Sequence, residues 1–154
     1  MIEKKSPGNF KILIVDDDAD IVEFIRYNTT NAGYQVFMAN DGIEALEVAE
    51  SELPDLILLD IMMPKMDGFE VCDALKKDDV TDHIPIIMIT AKSGEEERKT
   101  SFRKEVDIFL DKSFDEEELF IHIKRLLKRE ERMQERFRKY LFKETDRDSE
   151  EDFV

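Results

Sequence analysis

The chain has 154 residues, is 42% hydrophobic and carries 38 acidic against 23 basic side chains, a formal net charge of −15. That apolar content suffices for one sizeable core and excludes wholesale disorder, while so large an acidic excess argues against nucleic acid and anionic membrane surfaces as partners. A single cysteine, Cys72, excludes an internal disulfide framework and suits a reducing compartment; apolar runs of about five residues fall far short of a membrane span, and Met1–Asn9 holds no signal-like apolar stretch, so a soluble, cytoplasmic protein is expected.

Lys11–Val15 (KILIV) reads as a first strand. Asp18 caps a helix over about Ala19–Ala32, with Ile21, Val22 and Ile25 at helical spacing and Gly33 as its left-handed terminator. Tyr34–Ala39 is a second strand, and the Asn40-Asp41-Gly42 turn opens a helix over about Ile43–Ser51. Pro54 precedes a third strand, Leu56–Leu59, apolar on both faces. Beyond the Pro64–Gly68 loop a helix covers about Phe69–Lys77, with Cys72 as a packing residue. Ile84–Ile89 is a fourth buried strand, Gly94–Lys104 a helix whose strong apolar anchor is Phe102 alone, and Val106–Leu110 a fifth strand. From Asp115 a long helix runs to about Phe142. Five strand-then-helix repeats with uniformly apolar strands predict a parallel sheet covered on both faces, a doubly wound α/β sandwich.

In such folds the functional crevice lies at the carboxyl ends of the strands. The first strand ends in Asp16-Asp17-Asp18, the third in Asp60, the fourth in Thr90, and Lys112 follows the fifth. Asp18 is read as the helix cap. The fold would therefore bring three carboxylates (Asp16, Asp17, Asp60), a hydroxyl and an ammonium to one edge. Carboxylates that close repel unless a cation intervenes. Hard oxygen ligands with open water positions suit Mg²⁺. A carboxylate nucleophile beside a lysine, a hydroxyl and a metal is the equipment of aspartyl-phosphate chemistry.

The segments ILIVDDD, DLILLDIMMPKMDG, PIIMITA and FLDKSF, in that order and register, closely resemble the receiver domain of two-component response regulators over about Phe10–Arg129. The resemblance implies a flavodoxin-like sheet of strand order 2-1-3-4-5. It also implies that Asp60 is the phosphoacceptor, served by a sensor histidine kinase or phosphotransfer protein. Asp16, Asp17, Asp60 and the backbone carbonyl of Met62 would hold Mg²⁺. Thr90 and Lys112 would bind the phosphoryl group, and Phe109 would stand at the aromatic switch position. Met62 and Lys92 would flank the path of the hydrolytic water. Such a protein is a phosphoacceptor that assists its own chemistry, not an enzyme. The family's usual proline after the lysine, with a cis bond, is Ser113 here, and its Gly-Ala before the fifth strand is Glu105-Val106, so the preceding helix must end without a glycine. An aspartyl-type phosphatase would need an acid at the position of Met62. A receiver-like interaction protein that turns over no phosphate stays open as an alternative.

Residues 10–129 are read as the receiver and 130–154 as a helical extension with an acidic, disordered end. Leu119, Ile123, Leu126, Glu130, Met133, Phe137 and Tyr140 alternate spacings of four and three, a heptad seam. Its second half has no core of this domain to cover, which marks Met133, Phe137, Tyr140 and Leu141 as a partner interface. A homodimer through this helix, folding back or docking on a downstream protein target, and a solvated helix are the open readings. Direct nucleic-acid and membrane partners are not expected.

Overall fold

The computed structural model describes residues 7–91 and 94–151, the side chains of Pro7, Glu95 and residues 144–151 apart. After a short 3-10 turn at Pro7–Asn9 come β1 (Lys11–Val15), α1 (Ala19–Asn31), β2 (Gln35–Ala39), α2 (Gly42–Glu52), β3 (Leu56–Asp60), α3 (Gly68–Lys77), β4 (Ile86–Thr90), α4 (Glu95–Arg103), β5 (Ile108–Asp111) and α5 (Glu116–Glu151). The sheet is parallel throughout, in the order β2-β1-β3-β4-β5, as expected.

The period of two along each strand splits the core into two layers. Ile12, Ile14, Leu56, Leu58, Ile87 and Ile89 pack with Val22 and Ile25 of α1 and with Leu119 and Ile123 of α5. Their alternates, Leu13, Val15, Ile57, Leu59, Ile86 and Met88, pack with Ala45 and Ala49 of α2 and Val71 and Leu75 of α3. Burial on both faces is why Ile12–Val15, Leu56–Leu59 and Ile86–Ile89 carry no polar residue before the carboxyl ends of their strands.

Aspartates start the helices. Asp18, Asp41, Asp67 and Asp115 each accept backbone N–H groups from the first turn of α1, α2, α3 and α5, caps that contribute about 1 kcal/mol apiece. Asp18 is thus occupied as the sequence suggests, and Gly33 takes the expected left-handed φ of 97°.

The structure corrects three expectations. Phe102 is no anchor: its side chain is 86% exposed. The face that α4 turns to the body passes through Ser101, which is buried, and the next residue along the helix points about 100° away. The fifth strand starts later than read, at Ile108. Glu105 takes the left-handed φ of 60° that a glycine would fill, so Glu105 and Val106 close off the helix by donating to the Phe102 and Ser101 carbonyls. Asp107 then answers the Ile86 N–H with its carboxylate, at 2.8 Å. Finally, α5 does not stop near Phe142 but continues to Glu151, because the sequence there has no Gly or Pro to end it. Residues 152–154 of the expected disordered end lie outside the described residues.

Two further features matter below. The guanidinium of Arg129 pairs with the other oxygen of Asp107 at 2.6 Å, fastening α5 to the start of β5. In contrast, α4 has no side-chain cap at Gly94, buries no large apolar residue among those described, and leaves the buried Ser101 hydroxyl without a hydrogen-bond partner. Few buried contacts mean low local stability. The amides of α4 are expected to exchange with deuterium well before those of the other four helices; protection equal to that of β3 and β4 would contradict this.

Candidate functional site

Each strand end delivers one group. Asp60 closes β3, a strand buried along its whole length, and is itself only 3% exposed. Asp16 follows β1, equally buried, and its Oδ1 accepts the Asp18 N–H at 2.9 Å. Asp17 is exposed beside it. The carboxylate oxygens of Asp16, Asp17 and Asp60 lie within 4.8 Å of one another. Thr90 ends β4, fully buried and one step beyond the level of Asp60 across the sheet. Lys112 follows β5, and its Nζ lies 3.2 Å from Asp16 Oδ2 and 3.4 Å from Asp60 Oδ2.

Lys112 holds this position without the cis-proline of the resembled family. Its N–H donates to the Thr90 carbonyl at 2.8 Å, carrying the β4–β5 pairing one residue past the strand. The Ser113 N–H donates to Asp111 Oδ1 at 2.8 Å, a bond no proline could make. There is no cis peptide among the described residues, so the Lys112–Ser113 bond is trans.

The electrostatics follow from this crowding. Burial, then the neighbouring Asp16 carboxylate, push the Asp60 carboxyl up to about 6, against the pull of Lys112. Burial alone would lower the Lys112 ammonium, but Asp60 and Asp16 outweigh it and hold the group above its usual range. One lysine thus balances two buried carboxylates, and Asp60 Oδ1 is left buried with no hydrogen-bond partner among the described residues. Three converging carboxylates, one with an orphaned oxygen, are a donor set that fits a hard divalent cation.

Met62 lies two residues beyond Asp60, its side chain exposed. Lys92 lies outside the described residues. Phe109 is half-buried in β5, at the level of Met88 across the sheet. Sequence reasoning missed its companion: the guanidinium of Arg98, from α4, stands 5.6 Å from the ring centroid. A contact of this kind is worth roughly 0.5–1 kcal/mol at an exposed site and depends on which way α4 faces. Gly68 was also missed as a site residue. It donates to the Ile61 carbonyl at 2.8 Å and packs so closely on the Asp60–Ile61 backbone that a Cβ there would sit 2.9 Å from Ile61 Cα. The segment DG before a helix was the available signal. Met133, Phe137, Tyr140 and Leu141 lie far along α5 from this cluster and are exposed.

The chain is similar to known proteins over most of its length. A family model described as the response regulator receiver domain matches residues 12–124. The alkaline phosphatase synthesis transcriptional regulatory protein PhoP of Bacillus subtilis is 43% identical over 123 residues, 80% of this chain and 50% of that protein. The DNA-binding dual master transcriptional regulator RpaA of Synechocystis is 42% identical over 123 residues, 80% of this chain and 51% of its own. The chain therefore spans about half the length of these curated relatives, and the DNA binding in the second name is said of that protein. Among solved structures, a CheY-like response regulator receiver domain protein from Methanospirillum hungatei superposes with a TM-score of 0.76 at 30% identity, covering 80% of this chain and 98% of that one. Chemotaxis protein CheY4 of Vibrio cholerae gives 0.72 at 32% identity, covering 76% and 98%. With the sheet order, the acidic strand ends and a match over most of its length in accord, the chain belongs to the response regulator receiver domain family.

Proposed function

We propose that the chain accepts a phosphoryl group on Asp60 and passes the signal on by altered protein contacts. The single observation that carries this is the buried Asp60, the last residue of β3, which shares the Lys112 ammonium with Asp16. An Asp60 oxygen would attack phosphorus as the P–N bond to a donor phosphohistidine breaks and the imidazole leaves with the electron pair. Later attack of water on phosphorus would release inorganic phosphate and restore the carboxylate. Lys112 pairs with the negative oxygens of the transferred group, and the Thr90 hydroxyl donates to another. Asp16, Asp17, Asp60 and the Met62 carbonyl would hold Mg²⁺, which supplies charge neutralisation at the phosphoryl oxygens.

The partners we infer are proteins: a sensor histidine kinase or phosphotransfer protein upstream and a protein target downstream. A net charge of −15 disfavours nucleic acid. No described helix is long and apolar enough to cross a membrane, which accords with a cytoplasmic place of action. Phe109 is read as the switch aromatic, moving toward Thr90 when the latter engages the phosphoryl group and leaving Arg98.

Amide NMR spectra recorded with beryllofluoride and Mg²⁺ test the reading. Shifts at Asp60, Thr90 and Lys112 that need both additives, and that vanish in Asp60→Asn, are expected. A spectrum that ignores both additives is the result of a receiver-like interaction protein that turns over no phosphate.

A further inference from the structure

Asp111–Phe114 is one tight turn with Lys112 inside it. Asp111 is the last residue of β5, level with Thr90 across the sheet. Its backbone carbonyl accepts the Phe114 N–H at 3.0 Å, which closes the turn. Its carboxylate Oδ1 accepts the Ser113 N–H at 2.8 Å within it. An aspartate bonded in this way to the backbone two residues on reproduces a backbone turn with its side chain. Both flanks are anchored separately. The Lys112 N–H is bonded to the Thr90 carbonyl. Phe114 packs on the core layer shared by α1 and α5, its ring centroid 6.5 Å from that of Phe24. Between these anchors stands the Lys112–Ser113 peptide, and the Asp111 carboxylate holds its N–H.

Fixing the peptides on both sides of Lys112 fixes the direction of its Cα–Cβ bond. The stem beyond that bond is flexible in any lysine. Here its head reaches Asp16 and Asp60 together, at 3.2 and 3.4 Å, with the side chain 18% exposed.

We propose that Asp111 is a positioning residue for the phosphoryl chemistry, its Oδ1 aiming the Lys112 ammonium at Asp60. This deepens the reading of Asp60 as phosphoacceptor and rests on it. The role belongs to the acceptor oxygen and not to the charge. Asparagine presents the same oxygen to the same turn, whereas alanine presents none. Ser113 is exposed, so in Asp111→Ala water takes over its N–H and the fold survives; what is lost is the restraint on the lysine.

The placement of Lys112 is tested without any phosphodonor, by trace acetylation with acetic anhydride read by mass spectrometry. An ammonium held between two carboxylates reacts slowly. Relative to Lys139, whose side chain is 75% exposed, Lys112 is expected to label about fivefold faster in Asp111→Ala, the measure of one hydrogen bond. In Asp111→Asn it should label as in the wild type, with the circular dichroism of both variants unchanged. Equal labelling of wild type and Asp111→Ala would overturn the proposal. Faster labelling in both variants would assign the effect to the charge and overturn it equally. With acetyl phosphate and Mg²⁺, phosphorylation of Asp111→Ala should be slower by a similar factor and that of Asp111→Asn close to wild type. Faster labelling with an unchanged phosphorylation rate would overturn the role of Asp111 and leave the phosphoacceptor reading intact. A wild type inert to acetyl phosphate would overturn the phosphoacceptor reading, while the labelling still decides what places Lys112.

Discussion

Asp60→Asn is expected to end phosphorylation by acetyl phosphate altogether and, in metal-free buffer at pH 7, to raise the thermal midpoint of the protein. The first half follows from removal of the proposed nucleophile. The second follows from its surroundings. The Asp60 carboxyl is held at about 6, well above its ordinary 3.8, by burial and by Asp16. Between those values the folded chain binds more protons than the unfolded one, so stability falls as pH rises from about 4 to about 6 and stays lowered above. A displacement of this size corresponds to on the order of 3 kcal/mol, part of which the asparagine gives back by losing Lys112. Melts in chelator at pH 7 and again near pH 4 check this: the advantage of Asp60→Asn should shrink as pH falls through 6. Added Mg²⁺ should stabilise the wild type at pH 7, because the donor set then shares its charge. An Asp60→Asn protein no more stable than wild type at pH 7 would mean that the buried carboxylate is not under strain.

Gly68→Ala should be nearly as damaging while leaving every charged group in place. A methyl group there meets the carbonyl oxygen of Asp60 and, at 2.9 Å, Ile61 Cα. These are backbone atoms at the end of a strand buried on both faces, so they have little room to move. Either the start of α3 or the end of β3 must shift, at a cost of about 1–3 kcal/mol. Since Asp60 is the last residue of β3, the shift reaches the carboxylate. The expected outcome is a lowered denaturation midpoint together with a phosphorylation rate at least tenfold below wild type. Loss of stability with an unchanged rate would show that β3 is rigid and that α3 alone yields.

The fold was legible in the sequence because its three central strands, β1, β3 and β4, are buried on two sides and carry unbroken apolar runs; the polar residue that follows each run, Asp16, Asp60 or Thr90, then marks where the strand meets the crevice. The same contrast exposed the site. What the sequence could not show depends on helix azimuth or on single backbone angles. Phe102 is the most apolar residue of its helix, yet Ser101 takes the inward position. Glu105 adopts an angle that its side chain disfavours, and the strand after it starts late. Arg98 meets Phe109 only through the tertiary placement of α4. Lys112 keeps its place through Thr90 and Asp111 rather than through a proline, a substitution visible in the sequence whose compensation was not.

The Arg129–Asp107 bond has a mechanical consequence. From Arg129 to Glu151 the helix reaches about 33 Å at 1.5 Å per residue, so it acts as a lever whose fulcrum is that ion pair. Asp107 grips both ends of the arrangement: one oxygen holds Arg129 and the other the first amide of β4. A tilt of about 5° at the fulcrum carries the far end through about 3 Å by the geometry of so long a rod. Displacements at the base of the sheet too small to alter its packing are therefore magnified at the tip of the arm.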